Sequence, residues 1–113
     1  MLFQRIHKTV LLALCLTGAG ASASVSEQRQ QELIYLLHQD CGSCHGMTLK
    51  GGLGPSLLPA ALKSRPDDYL RHVIAKGVPE QAMPPWEAIL SAEDIDFLVQ
   101  HLTRRTDVPE MNQ

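Results

Sequence analysis

Five consecutive residues, Cys41-Gly42-Ser43-Cys44-His45, hold the densest chemistry in the chain. Two thiols separated by two residues and followed directly by an imidazole match the attachment sequence of a c-type haem. Each thiol can form a thioether with one haem vinyl group, and the spacing lets one short turn span both. It also aims His45 at the iron from one face of the ring. A second axial ligand has to reach the far face and so must come from a distant part of the chain. Met83 lies 38 residues after His45, in the loop Gly77-Val78-Pro79-Glu80-Gln81-Ala82-Met83-Pro84-Pro85-Trp86. Pro84 and Pro85 remove backbone donors and stiffen that loop. A thioether favours ferrous iron, so His/Met ligation raises the reduction potential.

Other residues compete for these roles. Met47 follows His45 by only two residues and would have to round the porphyrin edge at about 3.5 Å per residue. Met111 falls in the expected C-terminal tail. His38, His72 and His101 are alternatives to Met83 in a bis-histidine site. The second ring nitrogen of His45 is expected to donate a hydrogen bond that fixes the ring, with Pro55 as the candidate carbonyl. Trp86 reads as a packing residue that could also donate its indole N–H to a haem propionate. The cysteine pair has three further readings. A thioredoxin-like dithiol wants a strand-to-helix setting, a zinc site wants two more ligands at motif spacing, and an exported chain could close a simple disulfide.

Three helices are expected to position these groups. The first runs from about Ser26 to Asp40, with Ser24 and Glu27 at capping-box spacing. Leu33, Ile34, Leu37 and Cys41 recur at three and four residues, which marks one buried face that delivers Cys41 to the core. Gly51, Gly52 and Gly54 mark a loop, and Leu57 to Leu62 a short turn or helix around Pro59. The second helix spans about Asp67 to Lys76, with Ser64 and Asp67 as its cap pair, a stripe of Leu70, Val73 and Ile74, and Gly77 at its end. Ser91 and Asp94 cap the last helix, which carries Ile95, Leu98, Val99 and Leu102 on one side. Glu93, Asp94 and Asp96 crowd its start, and Arg104 and Arg105 its end, as the helix dipole favours. No strand pattern, internal repeat or low-complexity tract is visible.

Within 113 residues there is room for one small domain. Arg5 and Lys8, the apolar run Val10 to Leu16 and small residues up to Ala23 read as an export signal, cut before Ser24. The run is too short for the ~20 residues of a membrane span, so no stable anchor is expected. The expected organisation is a signal peptide over 1–23, a domain over 24–106 and a flexible tail over 107–113. Residues 24–113 hold eight Lys and Arg against twelve Asp and Glu, a formal charge of −4. That balance argues against nucleic acid, which needs basic clusters. Net acidity suggests that acidic groups steer a basic partner, with salt weakening the approach. With Tyr35, Tyr69, Trp86 and Phe97 as its only aromatics, so small a domain needs a large apolar filler, and a covalent haem supplies one.

Cys41-Gly-Ser-Cys-His45-Gly, Gly54-Pro55 and Met83-Pro84 stand in the order of the small monohaem class I cytochromes c, which the chain resembles over Ser24 to Arg105. Asp40-Cys-Gly-Ser-Cys-His-Gly, Gly51-Gly-Leu-Gly-Pro55 and Met83-Pro-Pro-Trp86 together resemble the NirC-type cytochromes, encoded with cytochrome-cd-type nitrite reductase in denitrifying bacteria. The resemblance implies an all-α fold of three main helices and short turns around one covalent haem c, held by Cys41 and Cys44 and ligated by His45 and Met83. It implies a periplasmic electron carrier, not an enzyme, whose partner is nitrite reductase or a haem d maturation enzyme. The competing class is a haem enzyme or ligand sensor with an open iron position.

Overall fold

The computed structural model describes residues 24–104; the expected signal peptide and tail lie outside them. The described chain forms helix α1 (Glu27–Leu36), a π-helical turn (Leu37–Cys41), α2 (Gly42–His45), α3 (Pro59–Leu62), α4 (Asp67–Lys76) and α5 (Ala92–Arg104), with no strand among the described residues. The three expected helices are present. The first is longer than expected, because α1, the π turn and α2 run on without a break to His45.

Two of the expected caps differ. Ser26, not Ser24, caps α1 by accepting from the Arg29 N–H at 3.3 Å. At α4 the residue before the helix is Pro66, and Ser64 makes no cap. Proline has no N–H and its fixed φ suits the entry to a helix, so the first turn forms without a side-chain acceptor. The α5 box forms as expected. Asp94 N–H donates to Ser91 Oγ and Ser91 N–H to Asp94 Oδ2, both at 3.1 Å.

Helix α5 is the hub, packing on α1, α3 and α4. Ile95, Leu98, Val99 and Leu102 are all buried, the outcome of apolar residues at three- and four-residue spacing on a 3.6-residue helix. They meet Leu33 and Leu37 from the first helix, with Leu49, Leu62 and Leu90 from the loops. The α4 stripe is less covered than expected: Leu70 and Ile74 are only partly buried where they pack on this core. Leu49 reaches the core from a positive φ of 62°. That left-handed backbone costs about 1–2 kcal/mol. Full burial of the side chain offsets it, as do bonds from Leu49 N–H to Gly46 O and from Leu57 N–H to Leu49 O.

Candidate haem site

The π turn decides where the motif faces. Its signature is the Gly42 N–H, which donates to Leu37 O five residues back. In a straight α-helix His45 would stand roughly 120° around from Leu33, twelve residues earlier. A π turn holds about one residue more than an α turn, which sets later residues back by roughly 100°. His45 is thereby returned to the stripe of Leu33 and Leu37 and is itself only 9% exposed. Ser43 Oγ donates to Asp40 O at 2.7 Å within the widened turn. His38 Nδ1 lies 3.1 Å from Met47 O and ties this turn to the segment after the motif.

Cys41 and Cys44 are free thiols, both partly exposed. Burial first, and the nearby Asp40 charge second, push the Cys41 thiol up to about 11. A redox dithiol needs the opposite shift, toward a stable thiolate. Among the described residues no cluster of three His, Cys, Asp or Glu side chains is arranged to hold a metal ion.

His45 Nδ1 lies 2.7 Å from the Pro55 carbonyl oxygen. A carbonyl can only accept, so Nδ1 is the donor, and in the neutral ring Nε2 keeps its lone pair. The ring is also wedged in place. A Cβ on Gly54 would sit 2.7 Å from His45 Cε1 and 2.8 Å from Nδ1, so only glycine lets the backbone lie against the imidazole. Gly54 N–H donates to Cys44 O and Gly51 N–H to His45 O, both at 2.8 Å, which binds the glycine loop to the motif.

Met83 is half-buried in the second loop. Gly77 ends α4 at φ +70°, and a Cβ there would stand 2.7 Å from Met83 O and 2.8 Å from both Pro84 C and Pro85 N. Val78 N–H closes the loop by donating to Met83 O at 3.1 Å. Helix ends leave carbonyls without intrahelical donors. Here Trp86 N–H takes Ile74 O at 3.0 Å and Glu87 N–H takes Ala75 O at 3.2 Å. The Met83 loop is therefore fastened to α4 at both ends. Trp86 itself packs half-buried on the core.

The competing side chains have other settings. Met47 is 54% exposed and lies against Gly42. His72 is exposed on α4. The His101 ring stacks on Phe97 with centroids 5.9 Å apart. Sequence reasoning missed the π turn and the two close glycine contacts. The only prior signals were the four-residue steps Leu33, Leu37, Cys41, which drift on an α-helix, and the glycines themselves.

Two thiols on one helical turn, beside a buried imidazole with a bare Nε2, fit a covalent haem. With the helical fold they define a class I c-type cytochrome that carries one haem c. Residues 28–102 match the family described as Cytochrome C oxidase, cbb3-type, subunit III. Cytochrome c55X of Pseudomonas aeruginosa is 45% identical over 106 residues, 88% of this chain and 89% of that one. The solved c-type cytochrome NirC is similar at TM-score 0.69 and 48% identity, over 70% of this chain and 93% of that one. The chain belongs to this family of small NirC-type cytochromes. Two longer proteins match over part of their length. A nitrite reductase of Stutzerimonas stutzeri is 27% identical over 88% of this chain and 20% of its own, and a dihydro-heme d1 dehydrogenase of P. aeruginosa is 37% identical over 74% and 16%.

Proposed function

We propose that the protein is a periplasmic one-electron carrier of denitrification that donates to nitrite reductase. Residues 1–23 would be its export signal, 24–106 its haem domain and 107–113 a flexible tail. Cys41 and Cys44 would hold the haem by thioethers. His45 Nε2 and the Met83 sulfur would be the groups that hold the iron. The haem supplies reversible one-electron chemistry. Pro55 O keeps the proton on Nδ1 and so keeps Nε2 a ligand. Gly54 limits tilting of the ring. The clasp on α4 holds Met83 in place, which suits transfer between similar geometries rather than turnover of a substrate. The Trp86 indole is a candidate donor to a propionate. The observation that carries this reading is the buried His45 imidazole, fixed through Nδ1 at 2.7 Å beside two free thiols.

The test begins with spectra of the holoprotein. An iron–sulfur charge-transfer band in the ferric form, lost in Met83→Ala with a fall in potential, is the expected result. Rapid carbon monoxide binding by the ferrous wild type would instead indicate an open iron and an enzyme or sensor. Purified reduced protein is then mixed with cytochrome-cd-type nitrite reductase at low salt. Failure to pass electrons there removes the donor role. Transfer to a dihydro-heme d1 dehydrogenase would favour the second reading, a redox partner in haem d maturation. What favours that reading is the 37% identity to the dehydrogenase over 83 residues, beside 27% to the reductase over 113.

A further inference from the structure

The two ends of the Met83 loop meet at the last turn of α4, and a pair of charges closes the junction. Lys76, the final residue of α4, donates through Nζ to Glu87 Oε1 at 2.8 Å and to Oε2 at 2.7 Å. Glu87 directly follows Trp86, so the pair spans residues 77–86, the loop that carries Met83. The other described ion pairs lie within a helix or join one helix to another: Arg29 with Glu32 and Asp94, and Arg71 with Asp67, Asp68 and Asp96.

Between its ends the loop has little to hold it shut. Pro79, Pro84 and Pro85 bring no N–H. Inside the loop, Val78 N–H donates to Met83 O and Gln81 N–H to Val78 O, both at 3.1 Å. The second bond closes a turn with Pro79 in its second position and Glu80, at φ +63°, in its third. A type II turn demands that left-handed backbone there, where glycine is favoured and glutamate is strained. The closed loop is thus opposed by its tip and favoured by its neck. That neck consists of Trp86 N–H to Ile74 O, Glu87 N–H to Ala75 O and, just outside them, the Lys76–Glu87 pair. The two side chains are 55% and 49% exposed, so the pair contributes little to global stability. Its place at the neck gives it leverage on one local event, the opening of this loop, which needs far less energy than unfolding.

We propose that Lys76 and Glu87 are positioning residues for Met83: their ion pair latches the neck of the 77–86 loop and sets how often the thioether leaves the iron. This rests on Met83 being an iron ligand, as proposed above.

Imidazole is the probe. In the ferric holoprotein it replaces the thioether; an iron–sulfur bond breaks, an iron–nitrogen bond forms, and no electron or proton moves. Only the open loop admits it, so its apparent affinity follows the open fraction. Lys76→Gln and Glu87→Gln should each raise that affinity about two- to fivefold, the range of an exposed ion pair. The double variant should be no looser than either single one, since both remove the same contact. Lys76→Arg, which keeps the charge and the donors, should stay near wild type. Hydrogen exchange at the Trp86 and Glu87 amides should quicken by a similar factor in the Gln variants, a readout independent of the iron. Glu32→Gln, which breaks an exposed pair on α1, should change neither measurement. Wild-type imidazole affinity in both single variants, whatever their thermal stability, overturns the proposal. So do opposite shifts in the two single variants, which mark a field effect of each charge, and factors that multiply in the double variant. Met83→Ala separates the two readings. If it binds imidazole no more tightly than wild type, Met83 is not the ligand and the latch falls with that reading. If it binds far more tightly while the pair variants do not, the latch alone fails.

Discussion

His45 shows how much a single side chain depends on backbone around it. Its chemistry is written in the motif, but its tautomer is set by Pro55 O and its tilt by the missing Cβ of Gly54. Gly77 does the same for the Met83 loop. Alanine there meets two obstacles, a left-handed φ of +70° and the Met83 carbonyl 2.7 Å from its Cβ. We expect Gly77→Ala to cost at least about 2 kcal/mol and to push Met83 off its present position. Thermal unfolding of the holoprotein would read the first effect, and weakening of the ferric iron–sulfur band the second. A stable variant with an unchanged spectrum would show that Gly77 is only a helix stop.

Among the elements, the first helix carries the unexpected feature. Its π turn returns His45 to the buried stripe, so one residue more or fewer matters beyond its own contacts. Deleting the exposed Gln39 should restore α-helical phase and rotate the motif by roughly 100°. Covalent haem content by intact-mass spectrometry should then fall to a small fraction of wild type. Full attachment would mean that the motif can be presented from either phase. The last helix was far more legible. Ile95, Leu98, Val99 and Leu102 repeat at helical spacing, Ser91 and Asp94 signal its start, and both signals are local. The caps of the other helices were less so, because Ser24, Ser26 and Ser64 offer equivalent hydroxyls and only the surrounding chain selects among them.

Taken whole, the domain is closed by an ion pair between its first and last helices. Arg29 Nε and Nη2 lie 3.2 and 2.9 Å from the two oxygens of Asp94, a residue 65 positions away that also caps α5. The Arg29 hydrogen bonds hold the Asp94 carboxyl below the usual range, against the opposing effect of its burial. A depressed carboxylate contributes stability that is fully present above its unfolded value of about 3.9. That contribution is lost as pH falls through the lower folded value. The stability gap between wild type and Asp94→Asn should therefore be constant above about pH 4 and shrink below it. Denaturant titrations at several pH values would measure it, and a gap independent of pH would remove the ion pair from the account. Asp94→Ala should cost about 1–2 kcal/mol, mostly as a lost cap, since the guanidinium end faces solvent.

By itself the sequence determined the haem chemistry, the three helices and the residues fit to serve as ligands. Those signals depend on residue type and on spacing within a few turns of chain. Tertiary structure decided the phase of the motif, the close contacts of Gly54 and Gly77 and the Arg29–Asp94 closure. Each of these rests on backbone path or on residues distant in sequence, and neither is encoded in a local pattern.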